Sequence, residues 1–209
     1  MGAVNVLSHP LILDKLSTMR DKRTSCADFR RLLREITLLM GYEVTADLPT
    51  RPALIETPVA TAEFPVLASR AVTIVPILRA GLGMVEGLLE LLPFASVGHL
   101  GMERDEVTHE PSEYYSKLPR GAADSLVIVV DPMLATGGSA IDAVANLKGH
   151  GCTDLRLVNL LAAPEGIAAF GEAHPDVDIF VAAIDERLNG QAYIVPGLGD
   201  AGDRIFSTL

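Results

Sequence analysis

Tryptophan is absent from this chain of 209 residues, cysteine occurs twice, and aromatic residues make up only 5%. Cys26 and Cys152 stand far apart and in no Cys-x-x-Cys or Cys/His spacing, which argues against a structural zinc site. The histidines (His9, His99, His109, His150 and His174) are scattered and indicate no metal cluster. No apolar run reaches the ~18 residues of a membrane span, so no membrane partner is expected. Basic charge is scarce too. Lys and Arg number 17 against 27 Asp and Glu, a formal charge of −10. Without a Lys/Arg cluster the basic face that nucleic acid requires is missing, and no nucleic-acid partner is expected. The opening residues lack the basic segment, apolar stretch and cleavage site of a secretory leader, so the expected location is the cytoplasm.

The residues that are present describe a globular domain. Hydrophobic residues at 49% exclude disorder, and the length fits one domain over residues 1–209. From Cys26 to Met40 apolar residues recur at three and four (Phe29, Leu32, Leu33, Ile36, Leu39, Met40), which predicts a helix capped by Ser25 and ended by Gly41. Proline-rich residues 47–58 read as an extended connection. From residue 66 strands and helices alternate. Strands are predicted at Val72–Leu78, Ala95–Met102, Leu126–Val130, Leu155–Leu161 and Val177–Ile184. Helices are predicted at Gly81–Leu92, about Ser139–Lys148 and about Glu165–Ala173. Residues 103–125 read as one long loop. Near-continuous apolar strands alternating with amphipathic helices imply an α/β fold, a parallel sheet flanked by helices. Ligands then bind at the carboxyl ends of the strands.

Three segments lie at such ends. In the first, strand Leu126–Val130 delivers Asp131, and Pro132-Met133-Leu134-Ala135-Thr136-Gly137-Gly138-Ser139 runs straight into a helix. Backbone N–H groups of Thr136–Ser139 at a helix start form an anion cradle suited to a phosphate. The alternative is an ordinary strand-to-helix turn. Asp131 lies upstream, placed for something attached to that phosphate, such as sugar hydroxyls. No Lys follows Gly138, so the segment is not a nucleoside-triphosphate P-loop. The second segment is Arg79-Ala80-Gly81, where the guanidinium either meets a phosphate or answers a surface carboxylate. The third is Arg104, which opens the long loop and is either a lid residue or a surface charge. Gly197-Leu-Gly199-Asp200-Ala201-Gly202 matches G-x-G-x-x-G literally. Only seven residues follow it, so it is no dinucleotide fingerprint.

Taken together these segments closely resemble the uracil phosphoribosyltransferases, a branch of the type I phosphoribosyltransferases. The Asp131–Ser139 segment is similar to that family's motif for phosphoribosyl diphosphate (PRPP), and Arg79-Ala80-Gly81 to its diphosphate loop. Arg104 with Glu110–Pro119 is similar to its flexible loop, and Tyr193–Asp203 to its uracil-recognition segment. The likeness runs from His9 to the C-terminus. A single Asp131 at the strand end, where many type I members carry two acidic residues, fits the uracil branch. The resemblance implies a core at about 66–185 with a small hood from about 1–65 and 186–209. It implies transfer of the phosphoribosyl group of PRPP to N1 of uracil, giving UMP and diphosphate. Arg79, Arg104, Asp131, Pro132–Ser139 (that is, Met133, Leu134, Ala135, Thr136, Gly137 and Gly138 between them) and Asp200 would bind PRPP. Asp131, Arg104 and Asp200 would be catalytic. Ile194, Gly199, Asp200 and Ala201 would bind uracil. Mg2+ would arrive with PRPP and not in a protein metal site. A homodimer or higher homo-oligomer is implied, and GTP activates some relatives. Two alternatives stay open at this point: a type I enzyme for another base, and a nucleotide-sensing regulator on the same fold.

Overall fold

The computed structural model describes residues 2–104 and 111–208, with the backbone alone for 102–104 and 111–114. In chain order the elements are β1 (Val4–Val6), α1 (Pro10–Arg20), α2 (Cys26–Val44), β2 (Thr50–Glu56), β3 (Thr61–Leu67), β4 (Val72–Leu78) and α3 (Leu82–Leu91). Then come β5 (Ser96–Val97), β6 (His99–Arg104), β7 (Pro111–Lys117), β8 (Leu126–Val130), β9 (Met133–Leu134) and α4 (Gly138–Gly149). The chain finishes with β10 (Leu155–Ala162), α5 (Pro164–Ala173), β11 (Asp178–Ile184), β12 (Arg187–Leu188), β13 (Ile194–Val195) and α6 (Ala201–Phe206).

The main sheet has the order β1-β11-β10-β8-β4-β6-β7, with β5 beside β4 and β9 beside β10. Its pairs are parallel except β6–β7. Strand residues alternate between faces. Val72, Ile74, Ile128 and Val130 pack with α1, α2, α3 and α6. Val75, Ile77, Val127 and Val129 pack with Ala143, Val144 and Leu147 of α4 and Phe170 of α5. This is the period-two pattern of strands buried on both faces, and it explains their unbroken apolar runs. After β4 the chain moves to one side of the sheet, and from β8 it builds the other. The switch point therefore falls between β4 and β8, where a crevice opens at the carboxyl ends.

The structure corrects the sequence reading in several places. Helix α2 does not end at Gly41 but runs to Val44. Gly41 faces α3, and a Cβ there would come within 2.8 Å of Leu88 Cδ2, so its role is close helix packing. Residues 47–58 are not a plain connection. Strand β2 forms an antiparallel hairpin with β3, in which Pro52 faces Pro65. Proline is tolerated there because β2 and β3 pair only with each other, which leaves free edges. The strand at Ala95–Met102 is two strands broken at Gly98. The long loop 103–125 contains β7 and a single 3-10 turn at Ala122–Asp124. As an edge strand β7 needs no apolar run, and its Pro-Ser-Glu-Tyr-Tyr-Ser-Lys sequence hides it. Residues 105–110 of that loop lie outside the described residues.

Candidate active site

Strand β8 is wholly buried and leads directly to Asp131. The exit is fixed by the neighbouring strand. Asp131 N–H donates to Val158 O at 3.2 Å, and Asn159 Nδ2 donates to Asp131 O at 2.7 Å. The carbonyl of Pro132 accepts from Leu160 N and Leu161 N, at 3.0 and 2.9 Å. Pro132 itself is buried, so it anchors the turn rather than lining it. Beyond it a small concavity of about 90 Å³ is lined by Asp131 and Met133–Ala140. Gly137 takes a left-handed conformation (φ 88°) and α4 starts at Gly138, so N–H groups and the positive end of the helix face this concavity. Thr136 and Ser139 stand exposed at its edge. The dimensions suit a phosphate group.

A larger cleft of about 390 Å³ adjoins it. Asp131, Met133 and Ala135 line both spaces. The opposite wall comes from the C-terminal segment: Gln191, Ala192, Tyr193 and Ile194, then Gly199–Gly202. All four residues expected to bind uracil, Ile194, Gly199, Asp200 and Ala201, therefore meet the strand-end carboxylate across one cleft. Ala80 completes the lining. Its loop approaches closely because residue 81 is glycine, where a Cβ would fall 2.4 Å from Val130 O. Arg79, next to it, is exposed beside the cleft and does not line it. The Arg104 side chain lies outside what is described.

Two carboxyl groups, those of Asp131 and Asp200, line the cleft. Crowding of the partly buried Asp131 carboxyl by protein pushes its pKa from 3.8 up to about 7. The N–H of Met133, 3.3 Å from Oδ1, lowers it, and the Asp200 charge raises it again. Asp200 also caps α6, its Oδ1 accepting from Asp203 N at 2.9 Å. Among the described residues no group of three or more His, Cys, Asp or Glu could hold a metal ion. Gln191 and Ala192 line the cleft without having been singled out in the sequence, and Tyr193 lines it where the sequence offered it only as the start of the Tyr193–Asp203 segment. Asn189-Gly190 is a hairpin signal that could have exposed them, since it turns β12 into β13 and Asn189 Oδ1 accepts from Gln191 N and Tyr193 N.

A mostly parallel sheet with an acidic strand end, a helix-start cradle and a C-terminal wall places the chain in the type I phosphoribosyltransferase class. A hypoxanthine-guanine phosphoribosyltransferase from Bacillus anthracis superposes with a TM-score of 0.52 at 13% identity, over 77% of this chain and 80% of that one, which is a likeness of fold. The AQ2163 protein from Aquifex aeolicus superposes with a TM-score of 0.91 at 40% identity, over 98% of both chains. A protein-family model described as Uracil phosphoribosyltransferase matches residues 6–208. Uracil phosphoribosyltransferases from Alkaliphilus oremlandii and Streptococcus agalactiae are 60% and 59% identical, each over the whole of both chains. The chain belongs to the uracil phosphoribosyltransferase family.

Proposed function

We propose that this protein transfers the 5-phosphoribosyl group of PRPP to N1 of uracil. The bond from C1 to the diphosphate oxygen breaks, the N1–C1 bond forms, the N1 proton is lost, and UMP and diphosphate leave. The observation that carries this reading is that Asp131 borders both the phosphate-sized concavity and the larger cleft. A ligand with a phosphate on one side and a ring on the other would cross Asp131 at its sugar.

Each residue then has a task. Backbone N–H groups of Thr136–Ser139 hold the 5-phosphate, with the Thr136 and Ser139 hydroxyls beside them. Met133, Leu134, Ala135, Gly137 and Gly138 shape that cradle, and Pro132 fixes its root. Asp131 takes the ribose hydroxyls and offsets positive charge on the ring as it passes through an oxocarbenium-like state. Arg79 and Arg104 neutralise the departing diphosphate. Mg2+ bound with PRPP is part of that substrate, and Asp200 meets PRPP or a water on its metal. Backbone groups of Ile194, Gly199 and Ala201 read the uracil edge. A backbone donor facing O4 rejects cytosine, whose N4 is itself a donor; such mismatches cost up to ~10⁴ in discrimination.

The same proposal extends to assembly. The β2–β3 hairpin projects with Leu54, Ile55, Val59 and Phe64 exposed. A lone two-stranded hairpin is marginal in water, so a second copy of this chain covering it accounts for its order. Activation by GTP rests on the family resemblance alone, and a guanosine-nucleotide titration of the rate tests it. No helix among the described residues is long and apolar enough to cross a membrane. The direct test of the reaction is UMP formation from labelled uracil and PRPP, with and without Mg2+. The expected result is Mg2+-dependent UMP with one diphosphate per turnover. Absence of UMP from folded protein would contradict it.

A further inference from the structure

The wall that faces Asp131 is short and glycine-rich, so something else must hold its backbone. Gly197 shows what does. Its N–H donates to Asp185 Oδ2 at 2.8 Å, and its carbonyl accepts from Arg20 Nη1, also at 2.8 Å. Arg20 and Asp185 bind each other as well, Nη1 to Oδ2 at 2.7 Å and Nη2 to Oδ1 at 2.6 Å. One guanidinium, one carboxylate and one peptide residue thus close a ring. Arg20 ends α1 and Asp185 follows β11, so two distant parts of the chain meet at a single residue of the wall. Gly197 cannot be replaced by a residue with a Cβ. Its φ is +65°, and a Cβ would lie 2.1 Å from the carbonyl oxygen of Ile194, which lines the cleft. The next carbonyl, Leu198 O, accepts from Arg204 Nη1 at 3.0 Å, and Arg204 also binds Met19 O and Asp21 O.

We propose that Arg20 and Asp185 are positioning residues for base recognition, fixing the peptide planes of residues 197–201 so that Gly199 and Ala201 face the pyrimidine edge. Neither side chain lines the cleft. Arg20 instead borders a second groove, with Lys22, Gly197 and Arg204, which meets the cleft only at Gly199 and Asp200 among its lining residues. Asp185 keeps only 6% of its side chain exposed. A buried ion pair is often no better for stability than a well-packed apolar pair, so its value here lies in direction. A bidentate fork has fixed geometry, and this one spends its remaining capacity on both polar groups of one peptide residue. Gly199 is two residues further on, so a rotation at Gly197 turns the groups that meet the base. The cradle of Thr136–Ser139 stands on other elements, between β8 and the start of α4.

The inference rests on the uracil reading above, and its test separates the two. Asp185→Asn keeps an acceptor for Gly197 N–H but loses the charged fork. Arg20→Lys keeps the charge but cannot bind Asp185 bidentately and Gly197 O together. Both are assayed well below their melting temperatures, on protein shown to be folded by circular dichroism. The expected result is a rise in KM for uracil of at least about tenfold, as when a polar edge contact is misaligned. KM for PRPP should change less than about twofold, and discrimination of uracil from cytosine should fall. In Arg20→Ala, added methylguanidinium, which can enter the groove, should restore part of the uracil KM. Unchanged uracil KM in both folded variants, or equal rises for uracil and PRPP, would overturn the proposal and leave a structural ion pair. If Asp185→Asn does not fold, Arg20→Lys and the methylguanidinium rescue decide the matter alone. Wild-type protein with no uracil-dependent turnover would overturn both readings together.

Discussion

Asp131 is the residue on which the proposed chemistry turns, and its environment makes two separable demands. As the carboxylate opposite a developing cation, it should be essential to rate. Asp131→Asn is expected to lower kcat by ~10²–10³ with the fold intact, and a variant keeping a third of wild-type kcat would remove the role. The second demand concerns pH. The folded protein holds the Asp131 proton up to about pH 7, whereas an ordinary Asp releases it near 3.8. The native state therefore binds this proton more tightly than the unfolded chain. The associated stability is complete below about pH 4 and is lost as pH rises to about 7. Asn does not titrate, so the melting temperature of Asp131→Asn relative to wild type should climb between pH 4 and pH 8. A pH-independent difference in calorimetry would show that burial does not hold this proton. In kinetics, kcat/KM for PRPP should fall on the acid side of about pH 7, because it reports groups of the free enzyme.

At the scale of elements, sequence reading succeeded where periodicity and burial agree. Val72–Leu78 and Leu126–Val130 were legible to the residue, because strands covered on both faces leave unbroken apolar runs. It failed where an element has no such signature. Strand β7 is polar and lies at an edge, and the β2–β3 hairpin is proline-bearing and exposed. The strand, turn and helix start around Asp131–Ser139, with their small concavity, were legible because they are contiguous in the chain. The Arg20–Asp185–Gly197 ring was not, since its members lie 165 and 177 positions from Arg20 and only the fold unites them. The C-terminal wall was read as base-recognising through the family resemblance, and its geometry now permits a test at Gly199. This residue has φ +81°, and a Cβ there would meet no protein atom within 4 Å. Gly199→Val should weaken uracil binding at least about tenfold and PRPP binding much less. The backbone cost of a β-branched residue in the left-handed region, ~1–2 kcal/mol, makes a parallel stability measurement necessary. Equal calorimetric losses for both ligands would mean collapse of the wall, and unchanged uracil affinity would take Gly199 out of the base site.

In the proposed function the whole molecule joins two recognitions at a topological switch point: the sheet end for the sugar phosphate, and a separately braced wall for the base. The exposed hairpin adds a further expectation. Ile55 and Phe64 lie on one face of it, by the pairing of Ala53 with Phe64 and Ile55 with Ala62. Replacing both with Glu should convert a dimer or larger assembly into monomer in sedimentation at micromolar concentration, and a wild-type monomer would contradict the covering role of a second copy. The central claim, that this cleft joins PRPP to uracil, is tested most directly by one panel. Wild-type protein with Mg2+ and PRPP is offered uracil, cytosine, orotate, adenine, guanine and hypoxanthine in turn, and diphosphate release is measured. The account predicts turnover with uracil at a kcat/KM at least about 10³ above any other base, as expected of a site built to hydrogen-bond one polar edge. Comparable turnover with orotate or a purine, or PRPP binding with no turnover on any base, would contradict it.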